Sequence, residues 1–261
     1  MRAFLELLCL DLQIKLKRAL AFRRNFWLRS SIALFHSFIF STFQLLLYAG
    51  VHGYPGWSPE QMLLFQATLI LWTGSVDLLF GGLAELIDVE VVYGNFDRFF
   101  LWPRSTLVSL LSRGTNIYAL GTVLAGLVGS VALLLRLGPG LSVAGLLLCA
   151  LFFVSGVWFY AALLVVYSGL TLFLVKMARL REVLERIVFF GSFPSDAYFG
   201  PGKSAVLTVL PIALWAYWPT QALLGRARLL ACESLALAAV CSIAAVAFWR
   251  RQECAYTSAG G

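Results

Sequence analysis

Charge is what this chain has least of. Charged residues make up 13% of its 261 residues and hydrophobic residues 61%, with a mean hydropathy of +0.86. So little polar surface cannot coat a water-soluble globule of this size. That leaves an all-α integral membrane protein that crosses the bilayer several times. Paired cysteines are also missing. Cys9, Cys149, Cys232, Cys241 and Cys254 show no CxxC spacing, which argues against a zinc knuckle or a disulfide framework. There is no HExxH, no Gly-x-Ser-x-Gly, no pair of histidines at ligand spacing and no pair of aspartates facing each other across spans. No catalytic residue, no metal site and no enzyme activity of the chain's own are therefore expected. Met1 leads straight into Arg2 and a charged helical run without a small-residue cleavage site, so a removed signal peptide is not expected either.

What charge there is leans basic, with 20 Lys and Arg against 13 Asp and Glu. Its distribution says more than its sum. Four segments, before Ser31, Glu85 to Arg113, Lys176 to Lys203, and Arg250 with Arg251, hold 17 of the 20 basic residues. Placing them on one side satisfies the positive-inside rule and puts both termini in the cytoplasm. Nucleic acid is not needed to explain the balance.

From Ala3 to Arg29 the pattern is helical, with Leu5, Leu8, Leu12, Leu16 and Ala19 on one side and Asp11, Lys15 and Arg18 on another. Residues 1–29 are predicted to lie as an amphipathic helix in the membrane interface. Residues 30–249 form the transmembrane domain and 250–261 a cytoplasmic tail. Ser30 to Gly50 is the first span, with a lone His36 that reads as a packing residue. The turn-rich His52 to Gln61 carries no Lys or Arg and belongs outside. Gln61 to Leu83 is the second span, and Asp77 within it is the candidate for a substrate path, among scattered polar groups Gln44, Gln66, Thr73 and Asn116. Leu107 to Leu135 is the third span, with Gly121, Ala125 and Gly129 spaced for close helix packing. After the turn RLGPG, the run from Leu141 to Val175 is longer than one bilayer needs, so it tilts, bends near Gly169 or continues into the cytoplasm. Lys176 to Arg186 reads as a charged cytoplasmic helix. The proline- and glycine-broken 187–204 then has two readings. Either it is an inner loop before a fifth span at Ala205 to Leu224, or it enters the membrane and Pro211 to Pro219 forms an outer re-entrant hairpin. Leu229 to Trp249 is the last span in both.

Two short stretches invite chemistry. Ala197 to Ser204, AYFGPGKS, fits a loosened P-loop, but a P-loop needs a preceding buried strand and acidic partners for magnesium. Here a membrane-bound run follows it, and Lys203 is assigned to a lipid phosphate instead. The second stretch is residues 84–105, whose core IDVEVVYGNFDRFFLWPRS mixes both charge signs with aromatics between two spans. It reads as a cytoplasmic docking segment for a soluble partner. Phe96, Phe99 and Phe100 would fill an apolar groove, Glu85, Glu90, Asp97, Arg98 and Arg104 would set register at its rim, and Gly94 and Pro103 would bound a short helix. A plain interfacial loop, with aromatics at the headgroups and charges in water, is the alternative.

In the order of these parts the chain resembles the membrane-spanning subunit of exporter-type ABC transporters, the type-2 permease superfamily, and more narrowly a bacterial branch of it. The residues that carry the resemblance are YPGW with the acidic Glu60 after it, Gly94-x-x-Asp97 with Pro103 six residues on, Phe193-Pro194, the paired prolines of PIALWAYWP, and the terminal YTSAGG. Phe193 departs from the tyrosine common before that proline. The resemblance implies six spans after an interfacial elbow helix and a second permease alongside, the same or homologous. It also implies a cytoplasmic ABC ATPase dimer that binds ATP and Mg and pushes on the 84–105 segment. Location in the bacterial cytoplasmic (inner) membrane follows from it, as does export of an amphiphilic or drug-like molecule. This chain would bind no cofactor itself. A structural or assembly factor of a lipid-handling complex is the alternative from another class, and an adjacent ATPase gene would discriminate.

Overall fold

A computed structural model describes residues 2–137, 142–174, 178–198, 200, 210–227 and 230–256; among these there are helices and turns but no strand. Among the described residues, five helical runs are long and apolar enough to cross a bilayer. The chain is an all-α membrane protein.

α1 (Arg2–Ala21) turns at Phe22 into α2 (Arg23–Gly50). The break falls seven residues before the expected boundary at Arg29, so Arg23, Arg24 and Arg29 belong to the first turns of α2. At 1.5 Å per residue, this helix spans about 42 Å against a hydrocarbon core of about 30 Å, which leaves room for that basic end at an interface. α3 (Pro59–Phe80) starts two residues before the expected Gln61, where a capping box fixes it. Ser58 Oγ accepts from the Gln61 N–H at 3.3 Å, the Ser58 N–H donates back to Gln61 Oε1 at 3.2 Å, and Pro59 occupies the first turn.

The Gly81–Gly82 pair interrupts the helix before α4 (Leu83–Val92). The interruption is stitched to the next turn of chain by Gly82 N–H to the Gly114 carbonyl (2.8 Å) and Asn116 N–H to the Leu78 carbonyl (2.9 Å). The expected third span from Leu107 is in fact two pieces. α5 (Thr106–Arg113) is a separate short helix, and the crossing helix is α6 (Leu120–Leu137), led in by a 3₁₀ turn at Ile117–Ala119. Small residues do join α6 to α3, but in a register one residue along from the expected Gly121, Ala125 and Gly129. Thr122, Gly126 and Ser130 are the buried set. A Cβ on Gly126 would lie 2.5 Å from Leu71 Cα, and one on Gly74 would lie 2.8 Å from Val123 N, so each helix receives the other's backbone.

α7 (Val143–Leu174) runs unbroken for 32 residues. Gly169 does not bend it; its bare Cα admits Phe248, whose Cε1 would be 2.8 Å from a Cβ. α8 (Ala178–Gly191) overlaps the expected charged helix at 176–186 and runs five residues past it. Leu180 and Leu184 pack on one core cluster of the molecule, while Ile187, Val188 and the following Tyr198 pack on the other. α8 therefore connects the two ends of the bundle, with its charges all before Ile187. Past it, the described residues 210–224 hold a 3₁₀ turn (Pro211–Leu214) and the short α9 (Tyr217–Leu223), nearly every residue buried. This excludes a long fifth helix across the described part of 205–224 and favours the re-entrant arrangement. α10 (Leu230–Ala255) closes the bundle. The RLGPG turn beyond Leu137, Val175 and Lys176, the GKS string with Lys203, Leu229 and the terminal Thr257–Gly261 lie outside the described residues.

The two core clusters occupy opposite ends. One gathers Trp57, Phe65 and Trp72 with the 212–218 segment, where Trp72 and Trp215 stack at 4.4 Å. Asp196 clamps it, accepting from Trp57 Nε1 and Tyr217 Oη, both at 3.0 Å. The other gathers Ile87, Val91, Phe96, Phe99, Leu110 and Trp249, with Phe4 and Tyr256 against it, so the first and last described helices meet at the same end. Large apolar side chains such as Phe35, Leu46, Val128, Leu147, Val154 and Ile243 stand exposed along the bundle. In water that surface would drive aggregation, and in a bilayer it faces lipid.

Candidate functional site

Residues 84–105 lie at the end where the helix termini gather. α4 leads to Gly94, whose φ of +67° suits glycine and turns the chain into a 3₁₀ turn at Phe96–Phe99. Phe96 and Phe99, expected at the surface as anchors, are fully buried. Their rings stack at 5.2 Å, and Phe96 meets Trp249 and Tyr256 edge-on at 6.3 and 5.4 Å. They are used by the chain's own core, because a 3₁₀ turn puts residues three apart on the same side. Glu90 is also buried and pairs with Arg98. What stands outward is Phe100, as expected, together with Val89, Val92, Tyr93 and Leu101, which no motif had singled out; Leu101 is 82% exposed and Tyr93 73%. Glu85, Pro103 and Arg104 are exposed among them.

This edge is tied down from several directions. The Tyr256 hydroxyl bonds to Asp97, and burial together with that bond pushes its pKa up to about 12, so it stays a neutral donor. Thr106 donates to Glu253 of α10. Tyr167 of α7 donates to both oxygens of Asp88, at 2.8 and 2.9 Å. The Arg113 guanidinium lies 4.0 Å over the Trp102 ring. From α1, Glu6 reaches Arg104 at 3.9 Å, and Lys15 donates to the carbonyls of Arg113 (2.7 Å) and Thr115 (2.8 Å) while pairing with Asp11 at 2.8 Å. The face of α1 carrying Asp11 and Lys15 thus packs on the α5 end, while Leu5, Ile14 and Leu20 are left exposed.

Asp77 lies elsewhere, in the wall of a cavity of about 620 Å³ between α2, α3, α7 and α8. Its Oδ2 accepts from Asn116 Nδ2 at 3.1 Å. Thr73 and His36 also line the cavity, so the histidine expected to be a packing residue borders open space. Gln44 and Gln66 do not join them; they bond to each other, buried between α2 and α3. α8 adds Arg181 and Glu185, which the sequence reading did not connect with Asp77. The usable signal was that the charged half of α8 continues without a break into the apolar IVFFG.

The fold and these two features define a multi-pass membrane protein with a cohesive, partly charged end and, among its helices, a mainly apolar cavity that holds an acidic residue. A family model described as "ABC-2 family transporter protein" matches residues 32–260, and the chain belongs to that family. It is a permease subunit of an ABC transporter, a class that works with an ATPase partner. No curated protein and no solved structure matches it.

Proposed function

We propose that the chain is the permease of an exporter, moving an amphiphilic or drug-like molecule by alternating access across the bacterial cytoplasmic membrane. A separate ATPase dimer drives it, docking on residues 84–105 and holding ATP and Mg; a second permease subunit, identical or homologous, completes the pore. Both helix termini and the docking edge are then cytoplasmic. This reading rests on one observation above the rest: an exposed apolar edge, Tyr93, Phe100 and Leu101 with Val89 and Val92, flanked by Glu85, Arg98 and Arg104, at the bundle end where α1, α7 and α10 converge. An apolar patch rimmed by charge is a docking surface for a protein. Because its backing side chains are buried in this chain's own core, a push there is transmitted to the helices rather than absorbed by a loose loop.

Co-purification of the ATPase subunit tests the docking. Leu101→Asp and Tyr93→Ala alter surface side chains without touching the core, and each should cost about 2 kcal/mol of association if it sits at the centre of the contact. Recovery of ATPase equal to wild type in both variants would remove this edge from the interface.

A further inference from the structure

The cavity beside Asp77 has a charge balance that selects its occupant. At about 620 Å³ it has the size of a site for one small molecule. The titratable and charged groups facing it come from four helices: His36 (α2), Asp77 (α3), Tyr160 (α7), and Arg181 with Glu185 (α8). Arg181 Nε lies 3.3 Å from Glu185 Oε1, so those two charges largely cancel. Asp77 meets an amide, Asn116, rather than a cation. That leaves Asp77 as the lining acid with no ion-pair partner among the described residues. Aromatic residues also line the cavity, Tyr160 and Phe189 with Trp72 behind them stacked on Trp215, and aromatic rings attract cations. Trp72 is fully buried, and its indole N–H has no acceptor among the described residues. A divalent metal is a poor fit, since no cluster of three ligating side chains exists among the described residues.

We infer that the cavity binds an amphiphile that carries a positive charge, with the cationic head against Asp77 and the apolar body among the aromatic rings. The inference rests on the permease reading and specifies the substrate class for it.

Tetraphenylphosphonium and tetraphenylborate are nearly identical in shape and opposite in charge. Equilibrium binding of each is measured on the purified chain in phosphatidylcholine nanodiscs, with excess unlabelled ion to subtract partitioning into lipid. The phosphonium should bind saturably and the borate should not. Asp77→Asn should weaken phosphonium binding about tenfold, which is about 1.4 kcal/mol, and Asp77→Glu should restore most of it. Equal saturable binding of both ions, or phosphonium binding unchanged in a folded Asp77→Asn, overturns the site. If that variant does not fold, the comparison of the two ions on the wild-type chain decides alone. No ATPase enters this assay, so the two proposals fail separately. A complex that transports while the chain ignores the phosphonium refutes only the site. A chain that binds it but forms no transporting complex refutes only the permease reading.

Discussion

Replacing Gly126 by alanine should be among the most damaging single-methyl changes in this protein. The new Cβ would lie 2.5 Å from Leu71 Cα, where ordinary van der Waals contact is 3.4–4 Å, and the obstacle is backbone rather than a movable side chain. α3 and α6 would have to part by about 1 Å along their close crossing, and overpacking of this kind costs up to about 3 kcal/mol. Alanine recovers about 1 kcal/mol of helix propensity over glycine, leaving a net loss of about 2 kcal/mol. For a domain of this size that is a drop of about 4–8 °C in Tm. Gly121→Ala is the matched control. No atom lies within 4 Å of its Cβ position, so it should be neutral or slightly stabilising. Thermal unfolding of both variants in one detergent, followed by loss of the monodisperse chromatographic peak, measures the difference. Gly126→Ala as stable as Gly121→Ala would refute the α3–α6 register described above.

Asp196→Ala should destabilise the end of the bundle around Trp57 by about 3 kcal/mol, because two donors that share one charged acceptor lose it, and Asp196→Asn should cost less; the same unfolding assay ranks them. In a background freed of native cysteines, single cysteines at Ser58 and Ser105 should label from opposite sides of the membrane, Ser58 from outside. Ser105 labelling from outside and Ser58 from inside would invert the topology, and labelling of both from the same side would break it.

The start of α3 lies within two residues of the expected Gln61, because the capping chemistry of Ser58-Pro59-Glu60-Gln61 is local. The register of α6 could not be read locally. Its lipid-facing and helix-facing sides are both apolar, so Gly121, Ala125 and Gly129 look as suitable as Thr122, Gly126 and Ser130 until α3 is in place. The same difficulty hid Phe96 and Phe99. An aromatic at a membrane boundary can face headgroups, a partner or its own core, and only the arrival of Trp249 and Tyr256, some 150 residues later in the chain, assigns these two to the core. Asp77 stood out as an acidic residue in an apolar run, yet its cavity depends on α8, whose charged part before Ile187 resembles a helix in water. The Pro and Gly residues of 187–204 are compatible with both a fifth span and re-entry at Pro211. The stack of Trp72 on Trp215, a contact between positions with no sequence pattern in common, supports re-entry.

The central claim is that this chain moves an amphiphile only when a partner ATPase works against the edge formed by residues 84–105. ATP-driven accumulation in proteoliposomes holding the assembled complex tests it most directly, with wild type beside Asp97→Ala, which unties Tyr256 from that edge. The wild-type complex should accumulate at least one amphiphile in an ATP-dependent manner, and the Asp97→Ala complex should assemble and hydrolyse ATP with transport reduced several-fold. Equal transport by the two complexes, or transport by the permease without its ATPase, would contradict the claim.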